Sequence, residues 1–383
     1  LRVEQSVCYS LFQKYPITIL ILFGVLQTCG RISRLGHTRR KNGECIILPE
    51  SIEMKKGIIL LFGILVPSAL IYMVWLGYGV LFEPNVNKDV APYTLYVKPA
   101  LDVNDVYAQL LNDEVLNNPE VFLLIADRKG LKHPKSGHYI ITEDMSSNSV
   151  VNMFMAGLQT PVKVTFTGAS SLAEVAGKLA PQLLQDSSSI LQALEVPRKG
   201  WEGDMSLGAY LPDTYEFFWN ATPETIAKKI YQNTIEFWTP SRILLAKELG
   251  LTPSELGTLA SIVMKESQKS EDRPLVARLY LNRLDKGMKL QADPTVIYAL
   301  KRKSPGLQVR RVLRKDLKIE DPFNTYFIKG LPPGPICVPE KDALLAVLNA
   351  PSHEYLYMCA DPDKIGYHAF ARSYKEHLRN QKK

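Results

Sequence analysis

A chain of 383 residues has room for two compact domains and an anchor, and 46% hydrophobic with 22% charged residues excludes wholesale disorder. The formal net charge of +7 is unevenly spread: residues 1–56 hold nine Lys/Arg against four Glu, leaving 37 basic and 35 acidic residues for the rest. A nearly neutral body excludes a general polyanion binder, so nucleic acid is not an expected partner.

Residues 1–53 carry an apolar run, 16–26, that is too short to span a bilayer. Met54-Lys55-Lys56 followed by an apolar stretch has the form of a natural start. Residues 1–53 are therefore expected to be an upstream extension without a fold of its own, or else a basic cytoplasmic tail. From Gly57 to Phe82 run 26 residues without a charge, more than the roughly 20 that a membrane helix needs. Pro67 is tolerable there, and Trp75, Tyr78 and Phe82 gather toward the far end, as in an aromatic belt. Lys55 and Lys56 precede the run and orient it with its start in the cytoplasm. The expectation is one transmembrane helix over 57–82, anchored in the inner membrane with everything after Phe82 extracytoplasmic; a buried core helix is the rival reading.

After a polar linker, Tyr93 to Val97 alternates as a strand, and Asp102 caps a helix reaching Leu111. A helix over 121–127, a strand over 137–141, a helix over 146–155 closed by Gly157, and a strand over 161–166 complete a compact α+β module spanning 92–166. Residues 167–383 form the second predicted domain, mainly helical at first, over 172–184, 187–194 and 223–238. The aromatic segment 210–218 reads as core, with a ligand platform as the alternative.

The chemistry concentrates between Thr252 and Leu300. Ser254 caps a predicted helix, and counting back from Glu266 by three, four and seven gives Val263, Ile262 and Leu259. Glu266 thus continues the buried stripe, where a carboxyl must be paired or have a raised pKa, the latter being what a general acid at neutral pH requires. A salt bridge to Arg273 or Arg278 is the structural alternative. Asp272-Arg273-Pro274 opens the next helix, and Asp293 reads as N-cap of another with Pro294 at its first turn. Gln291, Tyr298, Asn324, Thr325 and Tyr326, with Asp293, are the polar and aromatic groups suited to binding sugar, and 330–336 (GLPPGPI) is a rigid turn beside them. Eight basic residues lie between Lys301 and Lys318 beside the single acid Asp316. They read as solvated surface, or as a contact for anionic headgroups or acidic peptides. Cys337 and Cys359, the two cysteines beyond the anchor, form either one disulfide or two unpaired thiols, and no spacing suggests a metal site.

Taken together, LASIVMKES (259–267), VARLYLNRL (276–284), LQADPTVIYAL (290–300), NTYFIKGLPPGPI (324–336), YLYMCAD (355–361) and GYHAFARSYKEHL (366–378) closely resemble the MltG (YceG-like) family of endolytic murein transglycosylases. YLPDTYEF (210–217) and GHYII (137–141) extend the resemblance more weakly. The resemblance implies a LysM-like first module and a mixed α/β catalytic domain, α+β overall. It places the family's catalytic acid on Glu266. Met264 stands where the family's I-V-E-K-E pattern has its first acid, which implies that this acid is dispensable. The implied reaction cleaves the MurNAc–GlcNAc bond of nascent glycan strands, limiting their length and closing the C6 hydroxyl onto the sugar as a 1,6-anhydro end. It implies no cofactor, glycan strands as substrate and peptidoglycan synthases as candidate partners. A hydrolytic muramidase, with Asp293 as second carboxylate, and a non-catalytic wall-binding protein are the alternatives.

Overall fold

The computed structural model describes residues 50–382, so most of the expected upstream tail lies outside the described residues. The chain divides into two units, one ending at Thr160 and one beginning at Pro161.

In the first unit α1 (Glu50–Phe82) includes the uncharged run, with Pro67 inside it. Among the residues described with their side chains, no helix is long and apolar enough to cross a membrane, and the expected span, 57–82, lies partly outside them. β1 (Tyr93–Val97) pairs antiparallel with β2 (Gly137–Ile141), Tyr93 opposite Ile141. Between the two strands lie α2 (Val103–Asn112) and α3 (Pro119–Arg128). Asp102 opens α2 through a capping box with Asp105, satisfying backbone donors that the helix leaves unpaired. α4 (Ser147–Ala156) begins at the Ser146 cap and ends at Gly157, whose φ of +72° is the left-handed closure that glycine adopts without strain. Strand alternation turns Leu95 and Val97 inward onto Phe122, Tyr139, Ile141 and Phe154.

In the second unit β3 (Val162–Phe166) pairs antiparallel with β4 (Asp213–Phe217). The strand expected to close the first module therefore belongs to the second, and the boundary moves from 166 to Thr160. α5 (Leu172–Leu179) is shorter than expected: Pro181 lacks a backbone donor, and the chain tightens into a 3-10 turn at Ala180–Gln182. α6 (Ser187–Leu194) and α7 (Pro223–Phe237) follow the predicted bounds closely. The aromatic segment is core, with Tyr210, Tyr215 and Phe217 buried and the Tyr210 hydroxyl donating to the Leu194 carbonyl at 2.7 Å. α8 (Pro240–Glu248), capped by Thr239, is a helix the sequence reading did not place.

α9 (Pro253–Glu266) runs through the centre of this unit. Its cap is Thr252, in a capping box with Glu255, and not Ser254, which lies inside the first turn. Every residue from Leu256 to Met264 is buried. Leu256, Leu259, Ile262 and Val263 each contribute about 1.5–3 kcal/mol by leaving water. α10 (Arg273–Asp285), a 3-10 turn at Gly203–Ala209 and α12 (Lys341–Leu348) pack around α9, while α11 (Asp293–Lys303) lies beside it. β5 (Tyr357–Ala360) pairs antiparallel with β6 (His368–Ala371), and α13 (Tyr374–Asn380) follows. Among the described residues the three strand pairs are all antiparallel, so the expected mixed α/β domain gives way to an α+β unit dominated by helices. Cys337, buried, and Cys359 are both free. The eight basic residues from Lys301 to Lys318 are all exposed, with Arg302 paired to Asp204 at 3.4 Å.

Candidate active site

α9 ends on Glu266, and Ser267 leaves in extended conformation with its N–H on the Val263 carbonyl. The negative end of the helix dipole disfavours a carboxylate there. Glu266 is half-buried, and protein crowds its carboxyl. The fully buried Tyr280 of α10 donates its hydroxyl to Oε1 at 3.0 Å. Burial raises the Glu266 pKa to about 7, helped by the charge of Asp293 and moderated by the Tyr280 hydrogen bond and the positive charges of His368 and Arg283.

The rival salt-bridge role has no support in the geometry. Arg273 pairs with Asp342 at 2.5 Å and Glu340 at 3.9 Å, while Arg278 pairs with Asp285 at 3.3 Å. Met264, where the family pattern has an acid, is buried among apolar neighbours. Glu266 is thus a carboxyl that titrates near neutrality, with a hydroxyl fixing one oxygen.

The two segments 290–300 and 324–336 are stitched together beside it. The Ala292 N–H donates to Thr325 Oγ1 at 2.9 Å, the Gln291 N–H to the Thr325 carbonyl at 3.2 Å, and the Thr295 and Thr325 hydroxyls bond to each other at 2.8 Å. Asn324 donates its amide to the carbonyls of Leu317 and Ile319 and accepts from the Tyr326 N–H. Asn324 and Thr325 are fully buried, and their side-chain hydrogen bonds hold the loop.

Asp293 does not cap α11. Ala292 occupies the cap position, without a side-chain bond, and Asp293, exposed in the first turn, accepts from the Tyr326 hydroxyl at 2.7 Å. The fields of Asp293 and Tyr326 reach Glu266, so these three groups belong to one site. Gln291 is exposed with φ +52°, a left-handed conformation held by its bond to Thr325. Tyr298 lies over Phe323, ring centroids 4.8 Å apart, and its charged neighbours are Arg302, Asp204 and Asp321, not Glu266.

Two charged groups that act on the Glu266 carboxyl escaped the sequence reading. Arg283, buried, clamps the Leu356 carbonyl at 2.7 Å and the Leu290 carbonyl at 2.6 Å, drawing the approach to β5 and the 290 loop onto α10. His368 on β6 bonds Asp272 at 2.5 Å and lies within electrostatic reach of Glu266. An Arg or His seventeen or more residues from Glu266 gives no periodic signal, and only the tertiary fold reveals either. A groove of about 620 Å³ lined by Lys163, Asp213, Tyr215, Glu216, Lys229 and Glu236 contains none of these groups. Its charges are mixed and its Asp213 is already paired with Lys341.

Residues 95–383 match the model of the YceG-like family, three quarters of the chain. The chain belongs to the YceG-like family. An endolytic murein transglycosylase from Bacillus subtilis (strain 168) is 26% identical over 323 residues, covering 79% of this chain and 88% of that protein. One from Streptococcus pneumoniae serotype 2 is also 26% identical over 75% of this chain, but only 57% of that longer protein is covered. A crystal structure of a putative YceG-like protein from Listeria monocytogenes is 26% identical over 75% of this chain, with a TM-score of 0.48. Glu266, Tyr280, Asp293, Tyr326 and His368 all fall inside the span that matches the family.

Proposed function

We propose that this chain is an endolytic peptidoglycan lytic transglycosylase in which Glu266 alone serves as acid and then base. The observation that carries the reading is a helix-end carboxyl whose pKa stands at about 7, close to the pH at which it must first give and then take a proton. Relatives that are named endolytic murein transglycosylases and the family match support the substrate class. Glu266 protonates the oxygen leaving N-acetylmuramic acid, whose N-acetyl group steadies the oxocarbenium-like centre. The C6 hydroxyl then attacks as its proton passes to Glu266, which leaves a 1,6-anhydro end. Tyr280 fixes Oε1 and leaves Oε2 for the substrate. Asp293 and Tyr326 line the approach, and exposed Gln291 and half-buried Tyr298 lie further along the same two segments.

Hydrolysis at the same bond is the second reading, since the charge of Asp293 is felt at Glu266 and a hydrolase employs a second carboxylate. Mass spectrometry of products from isolated glycan strands separates the two. The transglycosylase yields 1,6-anhydro ends, whereas reducing MurNAc ends would overturn it.

The first module, with two helices between a pair of antiparallel strands, is read as LysM-like and as a second hold on glycan. The run 57–82 is read as a single-pass anchor in the inner membrane. Support comes from its 26 uncharged residues and from Ile71, Val74 and Trp75, each at least 60% exposed along α1 with no protein cover. The body then works outside the membrane, where peptidoglycan synthases supply nascent strands. A C-terminal reporter is expected to be active only outside the cytoplasm; activity confined to the cytoplasm would contradict this topology.

A further inference from the structure

Asp272 stands at the start of α10, but its side chain caps nothing there. It is 3% exposed, and Oδ2 accepts from His368 Nδ1 at 2.5 Å and from Ser267 Oγ at 3.2 Å. A carboxylate taken out of water needs a cation against it. Arg273, the next residue, is turned elsewhere, to Asp342, Glu340 and the Ser267 carbonyl. His368 is therefore the group that answers the charge of Asp272. The Asp272 hydrogen bond holds the imidazole protonated above the ordinary histidine range, against the effect of burial, and the charge of Glu266 adds to it. Ser267, which joins Asp272, directly follows Glu266, so the pair is fastened to the end of the helix that carries the acid. Nδ1 is committed to Asp272; Nε2 meets no partner among the described residues and is not sealed from solvent.

We propose that His368, held by Asp272, is a positioning residue of the cleavage site: its imidazolium presents a fixed positive charge to Glu266 and answers the carboxylate formed there when the proton leaves. The inference rests on the transglycosylase reading. In that step the glycosidic C–O bond breaks and the Glu266 proton goes to the leaving oxygen. The C6 oxygen then bonds to the anomeric carbon while its proton returns to Glu266. His368 keeps its proton throughout, so the balance needs no other reactant. The other groups facing Glu266 are Tyr280, Tyr326, Arg283 and Asp293, with the Tyr326 hydroxyl donating to Asp293. Tyr280 is neutral, Arg283 is tied to backbone carbonyls, and Asp293 opposes the carboxylate. The groups facing His368 are Asp272 and Glu266.

The test compares pH profiles of strand cleavage by the full-length protein and two variants. His368→Asn retains a donor toward Asp272 and removes the charge. Its kcat is expected to fall about tenfold or more with KM within threefold, and its alkaline limb moves to higher pH because Glu266 loses a cation that holds its pKa down. Asp272→Asn removes the group that keeps His368 protonated. Its cleavage is expected to return toward the wild-type rate below the ordinary histidine pKa of about 6.5 and to fall about tenfold behind above it. A defect of equal size at every pH in Asp272→Asn, or rates within twofold of wild type in both, would overturn the proposal. A measurement free of folding defects in the pair is the NMR titration of His368 in wild type and Glu266→Gln. The imidazole pKa is expected to be lower in Glu266→Gln, and an unchanged value overturns the inference. Wild-type protein that releases no anhydro ends refutes the transglycosylase reading instead, and the titration still stands by itself.

Discussion

Glu266→Gln abolishes strand cleavage and leaves the protein more resistant to unfolding at pH 8. The amide matches the carboxyl in shape and still accepts from the Tyr280 hydroxyl, but it cannot move a proton. General acid–base catalysis contributes about 10²–10⁴ in rate, so kcat is expected to fall by about 10³ or more. The stability effect follows from the same burial. An ordinary glutamate has a pKa of 4.5 and folded Glu266 one of about 7, so the folded state holds this proton more tightly than the unfolded state. Below the lower value both states are protonated and nothing is lost. Between the two values stability falls as pH rises, and above about 7 the loss is complete, roughly 3 kcal/mol at most for a half-buried group. Glutamine carries no such cost. Chemical denaturation of both proteins at pH 4 and pH 8 checks this: the gap should be small at pH 4 and favour Gln at pH 8. A variant within tenfold of wild-type kinetics would remove Glu266 from the role.

Gly334→Ala is expected to destabilise the second unit by about 3 kcal/mol, or about 6–12 °C in melting temperature for a domain of this size. A Cβ at Gly334 would stand 1.9 Å from the Asp204 carbonyl oxygen and 2.4 Å from its carbon, and backbone cannot swing aside as a side chain can. The segment it belongs to matters to the site. Just beyond it, the Ile336 N–H donates to Ser261 Oγ at 3.0 Å, so this turn grips α9 one and a half turns before Glu266. Shifting the turn disturbs the helix that aims the acid, and cleavage is expected to fall with stability. Differential scanning calorimetry and product assays on the same preparation test both effects. A melting temperature within 2 °C of wild type would show that the turn relaxes freely.

The sequence made the partly buried position of Glu266 legible because helical periodicity is a local property: Leu259, Ile262 and Val263 precede it at helical spacing, and all three are buried. Of the capping residues read from the sequence, Asp102 opens its helix, whereas Thr252 with its box partner Glu255 displaced Ser254 and Ala292 displaced Asp293. Where the reading failed, the deciding contacts were long-range. β3 looked like the end of the first module until its partner proved to be β4, about fifty residues later. Asn324 and Thr325 read as sugar ligands because they are polar and lie beside a rigid turn; both side chains are buried, Thr325 bonded to Ala292 and Thr295 and Asn324 to the Leu317 and Ile319 carbonyls. Asp272 looked like a helix opener, and its role emerged only when β6 brought His368 to it.

The pH dependence of kcat/KM for glycan-strand cleavage by the wild-type protein tests most directly whether Glu266 acts as a single protonated acid. One carboxyl that must start protonated predicts a flat rate on the acid side and a fall approaching tenfold per pH unit above about 7. A rate that rises through pH 7, or that is lost on the acid side through a second carboxylate titrating near pH 4, would contradict a single protonated acid at Glu266.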